Sequence, residues 1–123
     1  MSASINTISE VYIALEEGNI GKLLTILSSS LKVYTASCMG GGISACEAIL
    51  KQIHTFYRPG SAIKKTVGCM IEHDNMVIVP GNISINGIDS MPCADIWHFE
   101  HNKPSYVIFY YKDPTELSEY LQR

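Results

Sequence analysis

The sequence predicts an α+β domain: helices packed on one face of a bent antiparallel sheet. Three observations support this. Helical periodicity fills the first half, strand alternation fills the second, and glycines are scattered through the strand region (Gly68, Gly81, Gly87), as a strongly curved sheet requires. Runs of helices followed by runs of strands exclude an alternating α/β architecture.

Ile5, Ile8, Val11, Tyr12 and Leu15 recur at helical spacing and form one apolar stripe, which Gly18 ends. Asn19 can cap a second, short helix bearing Ile20, Leu23, Leu24 and Leu27. Residues 31–38 read as a strand, broken by Gly40-Gly41-Gly42. Ser44 and Glu47 have capping-box spacing for a third helix, which should turn Cys46, Ile49, Leu50, Ile53 and Phe56 inward and stop at Pro59-Gly60. Strands are expected over residues 63–72, 76–88, 90–100 and 105–112, with turns at 73–75 and 101–104. Pro80 lacks a ladder donor and so suggests a bulge or an edge. Asp113-Pro114-Thr115-Glu116 carries the signals of a helix start, and Leu117, Tyr120 and Leu121 would dock that last helix.

The 123 residues suit a single domain spanning 1–123, and at 46% apolar they can build a core without a metal or disulfide staple. A net charge of -3 without a basic cluster argues against nucleic acid as a partner. The longest apolar runs, 76–79 and 106–111, are far shorter than the ~20 residues of a membrane-spanning helix, and no secretory signal is evident, so a cytoplasmic protein is expected. Cys38, Cys46, Cys69 and Cys93 include no C-x-x-C pair, and His98 and His101 fall on a strand and its turn; no metal or other cofactor is expected.

Four stretches in this order carry a resemblance: VYIALEEGNIGKLLTIL at 11–27, GISACEAILKQIHTF at 42–56, DIWHFE at 95–100 and YVIFYYKDP at 106–114. Together they resemble the nuclear-transport-factor-2-like superfamily, in its SnoaL-like and ketosteroid isomerase-like branch. The resemblance implies a cone with a cavity between sheet and helices. It also implies a role for Asp95, which matches the aspartate that ketosteroid isomerases keep protonated as a hydrogen-bond donor to the oxyanion. A carboxyl among Trp97, Phe99 and apolar neighbours would lose solvation, which disfavours its charge. The other catalytic parts do not match. Thr35 stands where the isomerase has its aspartate base, and Val11 stands at the tyrosine position. Tyr12 lies one residue on, a large rotation on a helix, and so is no substitute by sequence.

Alternation suggests a cavity lined by Tyr34, Met70, Asp95, Trp97 and Tyr110, with Thr35 beside it. His98 then falls on the face opposite Asp95. Both faces of the last strand are apolar: Tyr106, Ile108 and Tyr110 on one, Val107, Phe109 and Tyr111 on the other. A homodimer covering the outer face is the economical expectation. Two functions follow. One is binding of a small apolar molecule with Asp95 as polar anchor, extending to acid-assisted isomerase, cyclase or hydratase chemistry. The other is a non-catalytic dimerisation or scaffold module whose cavity is filled by Trp97, Met70 and tyrosines. An open cavity with a second titratable group beside Asp95 would favour the first; Asp95 bonded to backbone behind Trp97 would favour the second.

Overall fold

The computed structural model describes residues 3–27, 30–35 and 43–112. Helix α1 (Ala3–Glu17) buries Ile8, Val11, Tyr12, Ala14 and Leu15. Gly18 ends it at φ 67°, a left-handed conformation that glycine adopts without a Cβ penalty. Asn19 caps α2 (Ile20–Ile26) by accepting the Lys22 amide at 3.1 Å. Leu23 and Leu27 are buried, whereas Ile20 and Leu24 are exposed. Helix α3 (Ala45–Gln52) runs into one π-helical turn, Ile53–Tyr57, which turns Phe56 into the core. Ile53 and Phe56 pack inward as expected, joined by Tyr57 on the wider turn, whereas Leu50, also expected inward, is 49% exposed; the side chains of Cys46 and Ile49 lie outside the described set.

Among the described residues seven strands form one sheet: β1 (Lys32–Thr35), β2 (Ile43–Ser44), β3 (Ile63–Val67), β4 (Ile71–His73), β5 (Met76–Ile85), β6 (Ile88–Glu100) and β7 (Lys103–Tyr111). The order is β2-β1-β7-β6-β5-β3, with β4 also on β5. All neighbours are antiparallel except β1 and β7.

The sheet differs from expectation in two places. The strand expected over 63–72 is two strands, β3 and β4, separated by Gly68, Cys69 and Met70. Pro80 explains the break. On one side it pairs with Ala94 of β6; on the other it falls between the β3 partner Gly81 and the β4 partner Ile78. It has no N–H to offer there, while its carbonyl accepts the Gly68 amide at 2.7 Å. The strands expected over 76–88 and 90–100 instead meet at a two-residue hairpin turn, Asn86-Gly87, with φ 53° and 82°. Both residues are left-handed, as the tight hairpin turn matching strand twist requires. His101-Asn102 makes the same kind of turn between β6 and β7 (φ 52° and 65°).

The main core lies between α1, α2 and the inward rows of β1, β5, β6 and β7: Val33, Val77, Val79, Trp97, Val107 and Phe109. A second cluster joins Phe56 to Ile83, Ile85, Met91 and Cys93. The expected C-terminal helix from 113, the Gly40-Gly41-Gly42 loop and Cys38 lie outside the described residues.

Candidate functional site: a buried ion pair beside an apolar hollow

Asp95 lies in the middle of β6, opposite Val79 of β5 and Phe109 of β7. That row faces the helices, and Asp95 is 0% exposed. Lys65 reaches it from the edge strand. On β3, Ile63, Lys65 and Val67 share the inward row, and Lys65 is 5% exposed. Its ammonium lies 2.8 Å from Asp95 Oδ1 and 2.7 Å from Oδ2. The Tyr12 hydroxyl donates to Oδ2 from α1, and Trp97 Nε1 donates to the Tyr12 oxygen at 3.0 Å. Three aromatic rings surround the ammonium, with centroids at 4.6 Å (Phe109), 5.6 Å (Phe56) and 5.9 Å (Tyr111). Their negative faces favour a cation.

Desolvation is costly for a buried ion and is tolerated only with good geometry and hydrogen bonds. Asp95 has both: each oxygen accepts from Lys65, and Oδ2 also accepts from Tyr12. The surrounding groups keep their protons. Burial, followed by the Asp95 charge, raises the Tyr12 phenol well above its ordinary value. The same two causes raise Tyr57 and Tyr111. Burial pushes the Cys93 thiol up to about 11, against the pull of Lys65. Tyr57, at the end of the π turn, has a buried hydroxyl with no hydrogen-bond partner among the described residues.

Beside this cluster is an apolar hollow of about 20 Å3. Val11, Leu15, Leu23, Val33, Trp97 and Phe109 are among its walls. Trp97 and Phe109 therefore belong to both features: Trp97 bonds Tyr12, and Phe109 faces Lys65.

The structure distributes the residues singled out from sequence. Asp95 and Trp97 share the inward face. Asp95 accepts hydrogen bonds from Lys65 and from Tyr12, so the part that the resemblance implied for it would be played beside a cation. Met70, between β3 and β4, packs against the main core and accepts from Ser9 Oγ at 3.5 Å. Tyr34 and Tyr110 are corrections, because both lie on the opposite sheet face. Antiparallel pairing sets Phe109 against Asp95, so its neighbour Tyr110 sits opposite Ala94 and points away. Tyr34 pairs with Ile108 and meets Tyr106 edge-to-face at 6.2 Å. Thr35 is in register with Phe109; its side chain lies outside the described set. His98 stacks on Tyr106 at 4.1 Å on the outer face, where burial lowers its imidazole below the ordinary value.

Sequence reasoning missed three members. Tyr12 is rotated from Val11, but the inward face of α1 is broad enough for both. Lys65 left a signal: it occupies the inward position between Ile63 and Val67. Tyr57 left none, because the π turn that aims it has no sequence signature of its own. Among the described residues no cluster of His, Cys, Asp or Glu could hold a metal, and no helix is long and apolar enough to cross a membrane.

No protein-family model and no curated protein sequence matches the chain. Solved structures do. A protein of unknown function from Cytophaga hutchinsonii, described as nuclear-transport-factor-2-like, is 19% identical over 96% of each chain, with a TM-score of 0.70. A similar one from Burkholderia pseudomallei is 17% identical over 97% of each chain, with a TM-score of 0.72. IdmH, a candidate polyketide cyclase from Streptomyces antibioticus, is 13% identical over 97% of this chain and 99% of its own, with a TM-score of 0.67. With its bent sheet and packed helices, the chain has the nuclear-transport-factor-2-like fold.

Proposed function

We propose that the chain binds a small, mostly apolar molecule between the helices and the sheet, with the Tyr12–Asp95–Lys65 cluster at the polar end of the site. One observation carries this reading: an apolar hollow and a buried ion pair share the rings of Trp97 and Phe109. Few, well-placed polar groups beside an apolar wall are the usual makeup of a ligand site. The likeness to a candidate polyketide cyclase extends the proposal to isomerase- or cyclase-type chemistry without a cofactor. In that chemistry Asp95 orients Tyr12 and Lys65, since both its oxygens are already engaged. A cytoplasmic setting is part of the same proposal.

A second reading is favoured by size. The hollow, about 20 Å3, is far below the ~300 Å3 of ordinary ligand pockets. The chain would then be a scaffold with a filled core, pairing with a second copy through the outer face that bears Tyr34, Tyr106 and Tyr110.

Trp97 is the chain's one tryptophan and lines the hollow, so its emission separates the two readings. Titration with dissolved xenon, a small apolar probe, is expected to give a saturable change. Val33→Leu, which adds a methylene to the wall, is expected to weaken it. A response that is absent or non-saturable overturns ligand binding and leaves the scaffold.

A further inference from the structure

The rings around Lys65 favour a charge, and that charge sets the direction of the hydrogen bonds in the cluster. The centroids of Phe109, Phe56 and Tyr111 lie 4.6, 5.6 and 5.9 Å from the Lys65 nitrogen. Ring faces attract an ammonium and offer a neutral amine nothing comparable. The Lys65 side chain is 1% exposed, so water cannot balance the cation. A buried cation needs a counter-charge in contact with it. Asp95 supplies one, with its two oxygens 2.8 and 2.7 Å from the ammonium. A neutral Asp95 would leave the cation unmatched in the core.

Trp97 enforces the same direction from the other end. An indole N–H can only donate, so at 3.0 Å it occupies a lone pair of the Tyr12 oxygen. The Tyr12 proton is thereby turned away from Trp97, and Asp95 Oδ2 receives it. An ammonium, too, can only donate. Two obligate donors, Trp97 and Lys65, thus stand at the ends of one chain, and their hydrogen bonds converge on Asp95.

We propose that Lys65 is a positioning residue: it holds Asp95 as a carboxylate and so makes the Tyr12–Asp95 hydrogen bond run one way, Tyr12 giving and Asp95 receiving. This rests on the cluster's being the polar end of a ligand site, and adds to that reading which group keeps its proton. An acid-assisted step at the site draws its proton from a group other than Asp95, whose part is to orient its neighbours. Lys65 is what separates this cluster from the arrangement in which the aspartate itself donates.

The test uses the ligand-free protein at pH 7, so its outcome is independent of whether xenon enters the hollow. The Asp95 carboxyl carbon, observed by NMR in protein carrying carbon-13 aspartate, is expected at the position of an ionised carboxylate. It is expected to stay there in Lys65→Arg, which keeps the cation. In Lys65→Met it is expected to move toward the position of the neutral acid, because proton uptake relieves a carboxylate that has lost its cation. A neutral acid in the wild type, or a carbon that does not move in Lys65→Met, overturns the proposal. Asp95→Asn gives a second measurement, since asparagine has the shape of the neutral acid. It is expected to lower the folding equilibrium constant by about 100-fold or more, as breaking a buried pair does. A loss under about 10-fold, the scale of one ordinary hydrogen bond, means that a neutral side chain serves nearly as well and overturns the proposal.

Discussion

Removing the Lys65 ammonium is the perturbation whose size the structure best defines. The pair spans 2.7 to 2.8 Å, with side chains 1% and 0% exposed for Lys65 and Asp95. Water cannot take over when the lysine is lost. Lys65→Met keeps most of the side-chain length and leaves a carboxylate in the core with Tyr12 as its remaining donor. Breaking a buried pair in this way costs about 3–5 kcal/mol, a large share of the ~5–15 kcal/mol that holds a domain together. The double variant Lys65→Met/Asp95→Leu removes both charges. Its residual cost is the Tyr12 hydroxyl left without an acceptor, about 1–3 kcal/mol. The double variant is therefore expected to be more stable than the single one by about 2 kcal/mol. Urea unfolding followed by Trp97 emission reads both. The reasoning is refuted if Lys65→Met costs under about 1 kcal/mol, the value of an exposed pair, or if the double variant is no more stable than the single.

Further expectations concern pH, the backbone and assembly. Cys93 is raised from an ordinary 9.0 to about 11, and Tyr12, Tyr57 and Tyr111 are raised from 10.0. Acids whose folded values lie above their unfolded ones contribute stability in full below the unfolded value and lose it as pH rises. Stability should thus hold to about pH 9 and fall with increasing slope above 10 in pH-dependent urea titrations; a flat alkaline limb would contradict the burial of these groups. The sign is opposite for His98, whose value lies below 6.5. Its contribution is present above 6.5 and fades as pH falls, and an NMR midpoint at or above 6.5 would count against its burial beside Tyr106. Gly81→Ala sets a methyl 2.6 Å from the Thr66 carbonyl oxygen on β3, a backbone atom that cannot swing aside. It should cost about 1–3 kcal/mol by thermal melt, and a neutral result would mean that β3 moves freely against β5. If a second copy covers the outer face, Tyr110→Lys should convert a dimer to a monomer in light scattering; an unchanged mass places any interface elsewhere.

The elements were legible where a local period decides them. The α1 stripe, the Asn19 cap and the inward rows of β6 follow from spacing within one segment, and the helices-then-strands order follows from their sum. What sequence could not supply was relation between segments. Lys65 meets Asp95 across β5, an encounter 30 residues apart that no local pattern encodes. Tyr34 and Tyr110 read as inward because each strand was phased alone; the pairing of Asp95 with Phe109 sets the phase. Asn86-Gly87 falls inside the strand expected over 76–88, and that it ends β5 and starts β6 without a gap depends on the pairing of Ile85 with Ile88. Pro80 was readable as a missing donor, but that the gap divides β3 from β4 is a fact about its neighbours.

Crystals of the wild-type protein under xenon pressure test the account most directly, because xenon enters apolar cavities and needs no polar partner. The account predicts a xenon peak among Leu15, Leu23, Trp97 and Phe109, with the Lys65–Asp95 contact undisturbed beside it. A hollow that stays empty at saturating pressure, with Trp97 packed across it, would contradict the claim that this fold keeps a place for a ligand next to its buried charges.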